Sequence, residues 1–140
     1  RRAVAETAGL EVETDPDLRE IDSGDWSGRS FDKIRKEDPD LVEELGDDPG
    51  SFTFPGGEKI SDFWSRVGSA ADRLMKASAS RIAVLSHGGV TRSLICRLLR
   101  LPPEKYLLFN VGYASISSVD IYEDGGVLSE LNNRSHLPQE

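Results

Sequence analysis

The sequence predicts an αβ sandwich with a mixed sheet, and three stretches carry that expectation. Residues 82–85 form a short unbroken apolar run, β-branched at Ile82 and Val84, as a strand buried on both faces would be. The run stops at Ser86-His87-Gly88-Gly89, after which Val90, Leu94, Leu98 and Leu101, with Ile95 and Cys96 beside them, repeat at helical spacing. Ahead of it lies a long amphipathic stretch, with Ile60, Phe63, Trp64, Val67, Ala71, Leu74 and Met75 three or four residues apart. After it, residues 114–122 alternate and are β-rich, and Gly125-Gly126 is read as the turn into a second strand over 127–131. Strands alternating with helices and closed by a hairpin fit a sheet covered by helices.

In chain order, residues 1–8 read as the tail of a helix stopped by Gly9, 10–12 as a brief strand, and Asp15-Pro16-Asp17 as a turn. Residues 18–28 are dense in polar groups and glycine and have no clear period. They fit either a site loop or a solvated connector that Ile21 and Trp26 anchor to the core. Ser30 is placed to cap a helix through Phe31, Ile34 and Arg35, and Asp38-Pro39 to start another with Leu41, Val42 and Leu45 inward. Residues 46–51 break the pattern, and 55–58 make a tight turn before the long helix, whose Trp64 and Met75 are expected in the core. Residues 104–109 suggest one more helical turn, and 132–140 a polar tail.

Length and composition bound the function. A chain of 140 residues is one domain, long enough to bury a real core. A net charge of −8 argues against a nucleic-acid partner, which needs a basic face. A small anionic substrate stays open, since local arginines and a helix terminus outweigh the global charge nearby. The lone Cys96 has no partner for an internal disulfide and fits a structural role in a reducing compartment. No apolar run reaches membrane-spanning length, so the expectation is a cytoplasmic protein with no membrane partner.

The strand–turn–helix at 82–98 is the best functional clue. A helix start leaves N–H groups unpaired and is partly positive, and glycines let main chain approach an anion, so phosphate is the natural guest. His87 puts a titratable group at the lip of that turn; a histidine there could equally cap the helix or bond a carbonyl. The nucleophile-elbow pattern of serine esterases, the P-loop and the dinucleotide fingerprint are all absent. His87 and His136 are not at metal-ligand spacing and there is no Cys-x-x-Cys, so neither a metal nor a cofactor is expected. What remains is Glu20 with His87 at an anion site. A carboxyl beside a phosphate ester can hold a proton and pass it to the leaving oxygen, and an imidazolium can stabilise charge on the phosphoryl oxygens.

These residues reach a known pattern. Ser-His-Gly-Gly-Val-Thr-Arg and the helix after it closely resemble the C-terminal signature of the histidine phosphatase superfamily, the phosphoglycerate mutase-like proteins. Three more stretches agree in order and spacing: LREIDSGDWSG from Leu18, FPGGE from Phe54, and LNNRSHL from Leu131. The first of these looks more like the phosphatase branch than the mutases. The resemblance implies a three-layer αβα sandwich with a mostly parallel mixed sheet, one domain over 1–140, and a helical segment at about 29–50 over the site. It also implies a small phosphorylated substrate, no cofactor, and room for a homodimer.

By resemblance, His87 is the family's second histidine, which stabilises the transition state, and Glu20 is the proton donor to the leaving group. Gly88 and Ser86 would shape the phosphate pocket, and Arg19, Trp26 and the 55–58 turn sit where the family shapes its substrate pocket. Two departures matter. The Arg-His-Gly motif carrying the family's nucleophilic histidine is absent from these 140 residues, which suggests a truncated sequence and an inactive literal chain. The family's helix arginine falls, by its spacing to Thr7, on Ala3 rather than Arg2, so Arg2 binds phosphate only if the helix start is shifted. Three functions follow: a phosphomonoesterase working through phosphohistidine, a phosphoglycerate mutase, or a non-catalytic relative that binds a phospho-ligand or a partner.

Overall fold

The computed structural model describes residues 6, 7 and 9–138. The helix expected over 1–8 lies outside them except at Glu6 and Thr7, which are helical, and Arg2 lies outside as well. Gly9 follows with φ of 65°, its N–H reaching the Glu6 carbonyl, which is the predicted stop.

Four helices follow. Helix α1, Phe31–Glu37, starts where the Ser30 hydroxyl accepts from the Lys33 N–H, and α2, Pro39–Asp47, has proline in its first turn. Helix α3 spans Ile60–Lys76 and α4 spans Gly88–Leu98. Short 3₁₀ turns lie at Pro16–Leu18, Gly24–Trp26 and Pro103–Leu108, the last being the helical turn expected near 104–109. Strands β1, Ile116–Tyr122, and β2, Gly125–Asn133, pair antiparallel, with Tyr122 opposite Gly125 and Val119 opposite Leu128.

The hairpin turn falls two residues earlier than expected, at Glu123-Asp124. Gly126 lies inside β2 because of packing. A Cβ there would stand 2.7 Å from a Val119 methyl and 2.8 Å from the Leu98 carbonyl oxygen, so this glycine serves close approach of the strand to α4.

Two apolar clusters hold the helices. Phe63, Val67 and Ala71 of α3 meet Val90 and Leu94 of α4, all buried. Trp26, Ile34, Phe52 and Ile60 form the second, where the rings of Trp26, Phe52 and Phe54 lie 5.3–5.5 Å apart. Ile21 and Trp64 touch both clusters, which joins the 18–28 loop to the core. Cys96 is buried on α4, and burial pushes its thiol up. Met75, expected in the core, is 39% exposed in the last turn of α3.

The αβ class holds, but the sheet among the described residues is the two-stranded hairpin alone. Residues 82–85, expected as a strand buried on both faces, form no ladder among the described residues: Ile82, Val84 and Leu85 are 44%, 39% and 47% exposed. Their N–H groups meet no backbone carbonyl among the described residues. Residues 10–12 are likewise unpaired, with Leu10 and Val12 exposed. Apolar sequence supplies the tendency to form a strand; hydrogen-bonding neighbours supply the strand itself.

Candidate active site

Helix α4 begins at the Ser86-His87-Gly88 junction. His87 is its N-cap residue, with extended φ and ψ of −114° and 168°, and its ring makes no capping bond and is exposed. Its carbonyl is held at 2.9 Å by both the N–H and the hydroxyl of Thr91. The backbone of His87 is thus fixed by the first helical turn, while the imidazole is free of the capping duty that a histidine here could have served.

The Glu20 carboxylate lies against the same helix end. Its Oε2 accepts from the Gly89 N–H at 3.1 Å and its Oε1 from the Ile21 N–H at 3.0 Å. A Cβ at Gly89 would stand 2.6 Å from Oε1, so a side chain there would displace the Glu20 carboxylate from this contact. An anionic oxygen at an unpaired helix N–H is the favourable placement that the helix dipole dictates. The Ser86 hydroxyl donates to the Leu18 carbonyl at 2.6 Å, fastening the loop that carries Glu20 to the approach of α4. That bond commits its proton to the loop.

Below Glu20 stands Arg66 of α3. Its Nε and Nη2 grip the two Glu58 carboxylate oxygens at 2.7 and 2.8 Å. Its Nη1 donates to the carbonyls of Asp17 and Arg19 at 2.7 and 2.8 Å, and Nη2 also to that of Glu20 at 3.2 Å. Hydrogen bonds from Arg66 hold the Glu58 carboxyl below the usual range against the opposing effect of burial, helped by the Asp22 N–H and by the charges of Arg66 and Arg19. The 55–58 turn interlocks with the loop at two glycines. A Cβ on Gly24, whose φ is 50°, would stand 2.1 Å from the Pro55 carbonyl oxygen, and one on Gly57 2.4 Å from that of Asp22. Neither position admits a side chain.

Arg92, one turn into α4, donates from Nε to the Phe109 carbonyl at 2.9 Å. Tyr106 is near enough to feel its charge and that of Glu20: burial pushes its hydroxyl up, Arg92 pulls it down and Glu20 adds to the rise.

The structure therefore brings Glu20, Ser86, His87 and Gly88 to one end of α4. Trp26, expected near the pocket, is buried against Phe52 and Phe54, while Arg19 is at the surface beside Glu58. His136 is exposed beyond β2. No group of three or more potential metal ligands occurs among the described residues. Sequence reasoning missed Arg66 and Arg92. Arg66 sits on the polar side of an amphipathic helix, where an arginine ordinarily signals solvent; of the residues it binds, Glu58 of FPGGE lies eight residues away in sequence and the rest more than forty.

A model of the histidine phosphatase superfamily (branch 1) matches residues 1–134. Phosphoserine phosphatase 1 of Hydrogenobacter thermophilus is 29% identical over 135 residues, covering 96% of this chain and 64% of that protein. A probable phosphoglycerate mutase GpmB of Yersinia enterocolitica is 28% identical over 142 residues, covering 97% of this chain and 66% of that one. Among solved structures, the α-ribazole phosphatase of Shigella flexneri superposes with a TM-score of 0.79 at 31% identity, over 95% of this chain and 66% of its own. The chain thus spans just under two thirds of the length of these relatives.

Proposed function

Because this chain belongs to the histidine phosphatase superfamily, we propose that the protein hydrolyses small phosphomonoesters, with His87 and Glu20 as its catalytic residues here and Gly88 lining the phosphate site. One observation carries the reading: the Glu20 carboxylate is held on the Gly89 N–H, at the start of the helix that His87 caps. A histidine and a carboxyl at a partly positive helix end suit a transferring phosphoryl group. The phosphatases among the relatives favour hydrolysis over transfer.

In the proposed reaction a histidine nitrogen attacks phosphorus. The ester P–O bond breaks, its electron pair leaves on the alcohol oxygen, and that oxygen takes the Glu20 proton. His87, as imidazolium, faces the equatorial oxygens and offsets their charge. Water then attacks the phosphohistidine. Its proton passes to the Glu20 carboxylate, the P–N bond breaks, and free phosphate and the original histidine are restored.

The nucleophile is not among these 140 residues by the family's pattern, since no Arg-His-Gly occurs. We place it on a strand that covers residues 82–85 in the working enzyme, and the exposed apolar side chains and unpaired backbone of that run support this. The 140-residue chain alone then turns over no ester. The test is phosphate release by the complete gene product and by its variants: His87→Ala and Glu20→Gln are each expected to lose roughly 10² to 10⁴ of the rate. Near wild-type rates in either would remove that residue from the reaction. Phosphoryl transfer to a phosphoglycerate in place of phosphate release would favour the mutase reading, which the GpmB relative keeps open.

A further inference from the structure

We propose that Arg66 is the positioning residue for Glu20: one largely buried guanidinium holds the main chain from which the proton-donating carboxyl projects. The inference rests on the reading of Glu20 as proton donor. A guanidinium has five N–H bonds, and Arg66 makes five contacts, three to the carbonyls of Asp17, Arg19 and Glu20 and two to Glu58. Its side chain is only 10% exposed and lies over the Phe63 ring, 4.9 Å from the centroid.

The 17–22 stretch is short of regular hydrogen bonds, having only the 3₁₀ turn at Pro16–Leu18. Arg66 supplies from one point what a helix or sheet ladder would otherwise supply. Glu58 adds a second strap, its N–H donating to the Asp22 carbonyl at 2.8 Å and its Oε2 accepting from the Asp22 N–H at 3.3 Å. The backbone of the loop is thereby fixed on both sides of Glu20. Among the described residues the Glu20 carboxylate accepts hydrogen bonds from two backbone N–H groups, those of Ile21 and Gly89, so it can turn to a substrate while its root stays still. Lysine at 66 would keep the charge but could not form the planar fork that reaches three carbonyls and a carboxylate together.

A plain structural brace would also explain these bonds, and the choice of leaving group separates the two roles. An alkyl alcohol leaves phosphorus only if it is protonated, whereas p-nitrophenolate leaves without help. In the complete gene product, Arg66→Lys is expected to lower kcat/KM for an alkyl phosphate roughly 10²-fold and nearly keep kcat/KM for p-nitrophenyl phosphate, since kcat/KM reports the steps up to loss of the leaving group and not the shared hydrolysis of phosphohistidine. Glu20→Gln should show the same selectivity, more strongly. Equal losses on both esters in Arg66→Lys would overturn the positioning role. An unselective Glu20→Gln would instead overturn the reading of Glu20, whatever Arg66→Lys does. If Arg66→Lys does not fold, as judged by circular dichroism, Glu58→Gln loosens the same clamp. It should show a smaller selective loss, and an unselective one would overturn the proposal.

Discussion

Two regions flank the candidate site, and their order runs opposite to their sequences. Residues 17–27 are polar, glycine-rich and without period, yet Arg66, Glu58, Ser86 and two interlocked glycines hold them at many points. Residues 82–85 read as the best strand in the chain, yet they stand exposed and unpaired among the described residues. The contrast shows where order comes from. An irregular loop becomes rigid when its carbonyls meet a buried donor, and an apolar run stays loose until another strand lies beside it.

The sharpest way to break this contrast is Leu85→Lys. In the 140-residue chain, where Leu85 is already exposed, it should change unfolding free energy by less than about 0.5 kcal/mol. In the complete protein, where a covering strand is proposed, it should cost about 3 kcal/mol through lost burial and a stranded charge. Urea melts of both forms measure the difference, and equal tolerance would mean that the run is a free surface.

On the other side of the contrast, Gly24→Ala should destabilise by about 2 kcal/mol, because the new methyl meets the Pro55 carbonyl and the backbone is left-handed there. Gly28 is also left-handed, but nothing lies within 4 Å of its Cβ position. Gly28→Ala should therefore cost less, about 1 kcal/mol, and a melt in which the two variants match would deny the interlock.

The smallest effect is in pH. The Glu58 carboxyl lies below its ordinary 4.5 in the folded protein, so between those values the unfolded chain binds more protons. The stability it contributes is fully present above pH 4.5 and is lost as pH falls through the lowered value. Glu58→Gln should remove that part of the acid limb, seen as a flatter fall in the urea midpoint as pH drops below 4.5. A limb as steep as wild type would assign acid sensitivity to other pairs, such as Asp15 and Asp72 with their arginines.

The elements that could be read in the sequence are those decided locally. The Ser30 cap, the apolar face of α3, the Gly9 stop and the Ser-His-Gly-Gly junction depend on neighbours within a few residues, and the structure keeps them. What failed depends on distant chain. Gly125-Gly126 looked like a turn because glycine pairs usually are, but Gly126 is small so that β2 can approach Leu98. Met75 completes a helical stripe, but in the last turn it is Leu74 that packs on the core, and Met75 stays 39% exposed. Glu20 and His87 could be named from their motifs, whereas Arg66 gains its meaning only when α3 crosses under a loop more than forty residues upstream.

The carboxylate resting on Gly89 has one more effect. The positive end of α4 already has an occupant, so a bare oxyanion arriving there gains less than an open helix terminus would give it. An ester that brings an oxygen in need of a proton gives that occupant somewhere to go. In the proposed reaction, selection between ester and spent phosphate thus begins before any bond breaks, in the crowding of two like charges around one amide.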